Sequence, residues 1–251
     1  VEVVWLHARE LKIFYHSEAG MEIIGVLVLL GFLAVFGGIL YFAISTVRKE
    51  AEQKKQLAQS LGFSPIEADA NLADKIAALY RRPGVRTRYE LRNVSRRVTP
   101  DGEMYLFDLV DTSGEDNNWV ETQAAAVISP HLNMPPFSLF PKADQKYAIS
   151  GLANKVLEWG MSLVRTPVDF SDFPEFDSRY VVTSDESSDW VRGFFDQRLT
   201  DYFSRTQNFM LQASGDIFTF SEMGTRLKVA EEGVLSQRIN HALEIFRVLQ
   251  K

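Results

Sequence analysis

Cysteine is absent from all 251 residues. That one absence excludes disulfides, zinc–thiolate sites, iron–sulfur clusters and cysteine nucleophiles together. The glycine loops that cradle phosphates are missing too, as are the H-E-x-x-H of zinc peptidases and the G-x-S-x-G of serine hydrolases. Histidine is scarce: His7, His16, His131 and His241 are scattered and show no ligand spacing. Positive charge is in deficit. The chain carries 27 Lys+Arg against 33 Asp+Glu, a net −6, so no nucleic-acid partner is expected. No cofactor is implied by any motif. What is present suffices for a packed domain, with 46% hydrophobic and 12% aromatic residues.

Ile23 to Val47, IIGVLVLLGFLAVFGGILYFAISTV, is a run of 25 uncharged residues. As a helix it reaches ~37 Å, against a hydrocarbon core of ~30 Å. The expectation is a transmembrane helix over 21–47, in contact with the bilayer through 23–47. Arg48, Lys49, Lys54 and Lys55 follow the run and outweigh Arg9 and Lys12 before it, which places the C-terminal bulk in the cytoplasm. The expected location is therefore a bacterial inner membrane, crossed once. Gly31, Ala34 and Gly38 share one helix face, small enough to form a homodimer contact. Residues 1–20 read as an N-terminal extension, with Met21 a candidate native start.

Residues 48–60, RKEAEQKKQLAQS, are strong helix formers and read as a juxtamembrane helical linker that Leu61-Gly62 ends. Residues 61–251 read as one domain. Asn71 is the expected cap of a helix that Pro83-Gly84 terminates. Extended runs at 87–99, 103–113 and 119–129 are separated by Thr99-Pro100-Asp101-Gly102 and by SGEDNN, which predicts an antiparallel meander. PFSLFPK (136–142) adds a short extended piece. A helix over 151–165 is predicted on Leu152, Val156, Trp159 and Leu163, and another from Asp189 to about Arg205. Gly215-Asp216 between two apolar runs predicts a hairpin. A last helix carries Leu235, Ile239, Leu243, Phe246 and Leu249. The fold class is α+β, a largely antiparallel sheet with helices packed on it.

Two stretches are candidates for a site. DFSDFPEFD places Asp169, Asp172, Glu175 and Asp177 around Phe170, Phe173 and Phe176. Several carboxylates suit a hard cation, but their spacing matches no calcium loop. The simpler account has the phenylalanines anchoring an irregular segment, with Pro174 blocking a helix, before a strand over about 179–183. The second is YRRPGVRTRYELRNVSRRV, in which Arg86, Arg88 and Arg92 point to one face of an extended chain. Such a row can engage anionic groups or lipid headgroups, or else form a solvated face paired with Glu90 and Asp108.

PPFSLFP (135–141), VDFSDFPEFDSRYVVTSDE (168–186) and Leu61-Gly62 together resemble a group of uncharacterised bacterial single-span membrane proteins. Those carry an N-terminal hydrophobic helix, a P-x-F-x-L-x-P element, and D-F, P-E-F and R-Y elements. This chain departs from them at Phe140-Pro141-Lys142 and at Thr183-Ser184. The resemblance implies architecture and location and carries no activity. The functional expectation is a membrane-anchored interaction or ligand-binding module for a membrane or cytoplasmic protein, with Arg86, Arg88 and Arg92 as contact residues. One alternative is a metal-dependent hydrolase acting through Asp169, Asp172, Glu175 and Asp177. Another is an anionic-lipid binder using the arginine face.

Overall fold

A computed structural model describes residues 29–42, 45–46, 48–81, 88–111, 120–142, 166–206, 209–222 and 232–250. The chain divides into two compact units, Val1–Glu52 and Gln53–Lys251. In the first, residues 29–42 are helical, and Phe32 stacks on Phe36 with ring centroids 6.0 Å apart.

Here the structure corrects the sequence reading. Among the described residues no helix is long and apolar enough to cross a membrane. Residues 48–60 are helical but dense in Lys, Glu and Gln. The expected transmembrane helix, and with it the single-pass inner-membrane location and the cytoplasmic orientation, does not stand. Residues 1–28, including Met21, lie outside the described residues, as does the helix expected over 151–165.

The second unit is built on a nine-stranded sheet whose paired neighbours are all antiparallel. Its strands are β1 (Ser64–Pro65), β2 (Tyr89–Thr99), β3 (Gly102–Asp111), β4 (Val120–Ile128), β5 (Met134–Pro141), β6 (Thr166–Pro167), β7 (Tyr180–Ser184), β8 (Phe209–Gly215) and β9 (Ile217–Glu222), in the order β1-β2-β3-β4-β9-β8-β5-β7-β6. Helices are α1 (Ala70–Leu79), α2 (Pro174–Arg179), α3 (Ser188–Phe194), α4 (Gln197–Arg205) and α5 (Glu232–Leu249).

The β2–β3–β4 meander matches the expected runs. Its first turn pairs Thr99 with Gly102, whose φ of +145° and close approach to Ile128 leave no room for a side chain. The β8–β9 hairpin likewise turns at Gly215-Asp216, between paired Ser214 and Ile217. Helical residues 53–60 end in a Schellman motif: the Phe63 N–H donates to Ala58 and the Gly62 N–H to Gln59, with Gly62 at φ +82°.

Three local expectations change. Asp69, not Asn71, caps α1, accepting from the Leu72 N–H at 2.7 Å. Pro174 opens helix α2 rather than blocking one, because its missing N–H costs nothing at the first helical position. The helix expected over 189–205 is two, since Asp196 lies extended between them and caps α4 by accepting from Leu199 at 2.9 Å.

Alternation along the strands gives the sheet two buried faces. One is packed with α2 to α5 and residues 53–60 through Met104, Leu106, Ala125, Phe137, Leu139, Phe218 and Phe220. The other packs on α1 through Phe107, Ala124, Ala126, Phe140, Met210 and Ile217.

Candidate functional site

The expected acidic site is not assembled as one. Asp169 accepts from the Ser171 N–H at 2.9 Å and from its hydroxyl, bonds that hold its carboxyl below the usual range. Asp172 pairs with Arg192, and Asp177 with Lys142 at 3.2 Å. Glu175 sits exposed in the first turn of α2. Among the described residues no group of three or more His, Asp or Glu is placed to hold a metal ion. The interleaved aromatics point the other way. Phe170 and Phe176 are buried and meet edge-to-face at 5.1 Å, each also touching Phe195, while Phe173 is half-buried.

Arg86 lies outside the described residues. Exposed Arg88, just before β2, and half-buried Arg92 flank Glu90, and Arg92 grips Glu90 with two nitrogens at 2.8 and 3.0 Å. That grip holds the Glu90 carboxyl below its usual range. Arg92 stands opposite Asp108, and Asp108 opposite Gln123, so it begins a polar row on the sheet face packed with α5. Buried Asp108 accepts from Asn93 at 2.7 Å and from Lys54 at 3.1 Å. Buried Arg238 of α5 donates to Gln123 and Glu222 at 3.4 Å, and His241 lies 3.2 Å from Glu222. Each charge here has an opposite charge or an amide beside it. The network registers α5 on the strands.

A different arrangement occupies the opposite face. Strand pairing places Ala126, Thr219, Gln212, Ser138 and Thr183 side by side across β4, β9, β8, β5 and β7. They alternate with Met210, Ile217 and Phe140, so they face α1. Thr219, Gln212 and Ser138 are each at most 1% exposed. Tyr80, just past α1, shares a 2.7 Å hydrogen bond with Thr219, and burial pushes its phenol well above the usual range. The Ser138 hydroxyl donates to Gln212 Oε1. The amide nitrogen of Gln212 and the hydroxyl of Thr183 are sealed from solvent yet have no hydrogen-bond partner among the described residues. Beside this row, one step along the same strands, a groove of about 200 Å³ is lined by Leu79, Pro136, Ser214 and Ile217, with Lys75 among its walls.

The row assembles from five strands whose order in the sheet is not their order in the chain, so sequence reasoning missed it. The available signal was a polar residue at every second position of otherwise apolar strands: Gln212 and Ser214 after Met210, and Thr219 and Ser221 after Ile217.

No family model matches the chain, and no curated protein is similar to it. A crystal structure of the mycobacterial trehalose monomycolate transport factor A is similar at 12% identity over 80% of this chain and 94% of that one, with a TM-score of 0.46. A likeness at that level carries no argument about function.

Proposed function

We propose that the 53–251 unit is a binding module for a small ligand, seated on the polar row of the α1 face. One observation supports this above the rest. Gln212 is 1% exposed, and its amide nitrogen has no hydrogen-bond partner among the described residues. A buried donor left unmet costs about 1–3 kcal/mol, so such a group marks this part of the sheet as the place to test for a bound partner. The surrounding groups are hydroxyls and amides that donate and accept without ionising, which suits recognition better than acid–base or nucleophilic chemistry.

The test is mass spectrometry of small molecules released by denaturing the full chain, wild type beside Thr183→Val and Gln212→Leu. A compound released in stoichiometric amount by wild type and depleted in the variants supports a ligand-binding module. Identical release from all three overturns it.

A second reading, a protein contact along β2, is favoured by the exposure of Arg88 and Glu90 and by the shortness of β1, two residues that pair with Ser95 and Arg96 of β2. Capture of a protein by wild type and by Arg92→Lys, but not by Arg88→Glu/Arg92→Glu, supports it; equal capture by all three removes it.

A further inference from the structure

Where the β8–β9 turn meets α1, both signs of charge stand at the mouth of an apolar groove. We infer that this groove takes a small zwitterion with an apolar side chain, an α-amino acid of leucine or methionine size, its carboxylate toward Lys75 and its ammonium toward Asp216. The inference goes beyond the ligand-binding reading above and uses neither the Gln212 nor the Thr183 side chain.

The groove lies where β5 bulges. Met134 stands opposite Gly215 and Phe137 opposite Ala213, so Pro135 and Pro136 together face Ser214. Two successive residues without an N–H interrupt the ladder to β8. Lys75 and Leu79, four residues apart on one face of α1, form the facing wall. Buried Leu79, Ala213 and Ile217, with Pro136, make the lining mostly apolar, and half-buried Ser214 adds a hydroxyl. A Cβ on Gly215 would meet nothing within 4 Å, so the turn leaves the mouth open.

Charge sets the ligand class. Asp216 lies in the turn between the lining residues Ser214 and Ile217, and it accepts from Lys75 Nζ at 2.9 Å. The two side chains are 38% and 47% exposed, so the pair is weak and within reach of a third party. That bond takes one of three donors on the ammonium and leaves further acceptor sites on the carboxylate. The Glu103 carboxylate, held below its usual range by Tyr105, then by Arg96 and Lys75, is already taken up by the first two. The mouth is therefore a dipole without net charge. A lone carboxylate would meet Asp216 beside its counter-ion, and a lone ammonium would meet Lys75. An α-amino acid presents both charges from one carbon, matches the dipole in the opposite sense, and keeps its side chain free to enter the groove.

Size sets the side chain. A volume of about 200 Å³ exceeds the ~150 Å³ of a cavity known to take benzene, which admits roughly four to six apolar heavy atoms. Leucine and methionine meet that requirement, whereas alanine would leave the walls wet.

The test follows the backbone amides of Leu79, Ser214, Gly215 and Asp216 in ¹H–¹⁵N spectra of the full chain. The probes are L-leucine, isocaproate, which lacks its ammonium, and isopentylamine, which lacks its carboxylate. The expected result is a saturable shift with leucine and affinity about fivefold weaker for either single-charge probe. Alanine, shorter by three carbons, should bind about 50-fold more weakly than leucine. Asp216→Asn leaves Lys75 without its carboxylate neighbour, so isocaproate should then bind at least as well as leucine. Lys75→Gln should do the same for isopentylamine. Both positions are part-exposed, and a reversal of ligand preference is not something a loss of stability produces. Preferences unchanged in both variants would remove Lys75 and Asp216 from recognition and overturn the inference. In wild type, isocaproate or isopentylamine binding as tightly as leucine overturns the zwitterion and leaves the groove as a site. Amides silent with every probe overturn the groove itself, whatever the polar row binds.

Discussion

Tyr80 Oη lies 2.7 Å from Thr219 Oγ1, tying the residue just past α1 to the middle of the sheet across 139 positions of sequence. Both residues are buried, at 3% and 1% exposure. The bond fixes where α1 ends over the polar row.

The two hydroxyls should therefore be energetically coupled. Tyr80→Phe leaves the Thr219 hydroxyl buried and unmet, an expected loss of about 1–3 kcal/mol in urea unfolding. Tyr80→Phe/Thr219→Val should lose less than the sum of the two single changes. A Tyr80→Phe protein as stable as wild type would show that the bond contributes nothing.

Alkaline stability should fall for a related reason. Burial pushes the phenols of Tyr105 and Tyr202 up to about 12, and those of Tyr80 and Tyr180 above the usual range as well. An unfolded tyrosine ionises near ~10. As pH rises from there, the unfolded chain releases protons that the folded one keeps, so stability is intact below pH ~10 and declines through the folded-state values. Unfolding midpoints between pH 9 and 12, read beside phenolate absorbance, check this. Tyrosines that all titrate near pH 10 while the protein stays folded would contradict it.

Phe176→Ala and Phe170→Ala should each cost about 3–5 kcal/mol, since both rings are about 1% exposed among other aromatics. Half-buried Phe173 should cost less, although the three read alike in the sequence. Asp172→Ala breaks only an exposed pair with Arg192 and should stay within about 1 kcal/mol. Denaturant midpoints of the four variants rank them; a larger loss for Asp172 than for Phe176 would reopen the acidic segment as a site.

Glu222→Leu should destabilise by about 3–5 kcal/mol, because it deprives Arg238, 2% exposed, of a carboxylate partner. Adding Arg238→Met should recover part of the loss. If the double variant is less stable than Glu222→Leu alone, the arginine is held chiefly by Gln123 and its other neighbours.

Much of the fold was legible because it is written locally. The turns at Pro100-Asp101 and Gly215-Asp216, the stop at Gly62 and the periodic final helix each depend on a few adjacent residues. The break at Asp196 was not, since the apolar period runs across Phe194, Phe195 and Leu199 without a visible fault. The uncharged run over 23–47 satisfied a length criterion that the described helical residues do not. At the arginines, the sequence shows charges but not that Arg92 spends two nitrogens on Glu90. The candidate site was the least legible of all, because Thr183, Ser138, Gln212 and Thr219 become neighbours only through strand order.

That order also governs how the protein is made. The β8–β9 hairpin is the wedge between the meander and the β5–β7–β6 strands, joining β4 on one side and β5 on the other. A ribosome must deliver the chain as far as residue 222 before either half can close, so two incomplete sheets wait with open edges while the rest emerges. Such long-range pairing makes for slow folding. Nascent chains halted before residue 209 accordingly lack the hairpin that joins the two halves, and the polar row cannot assemble in them.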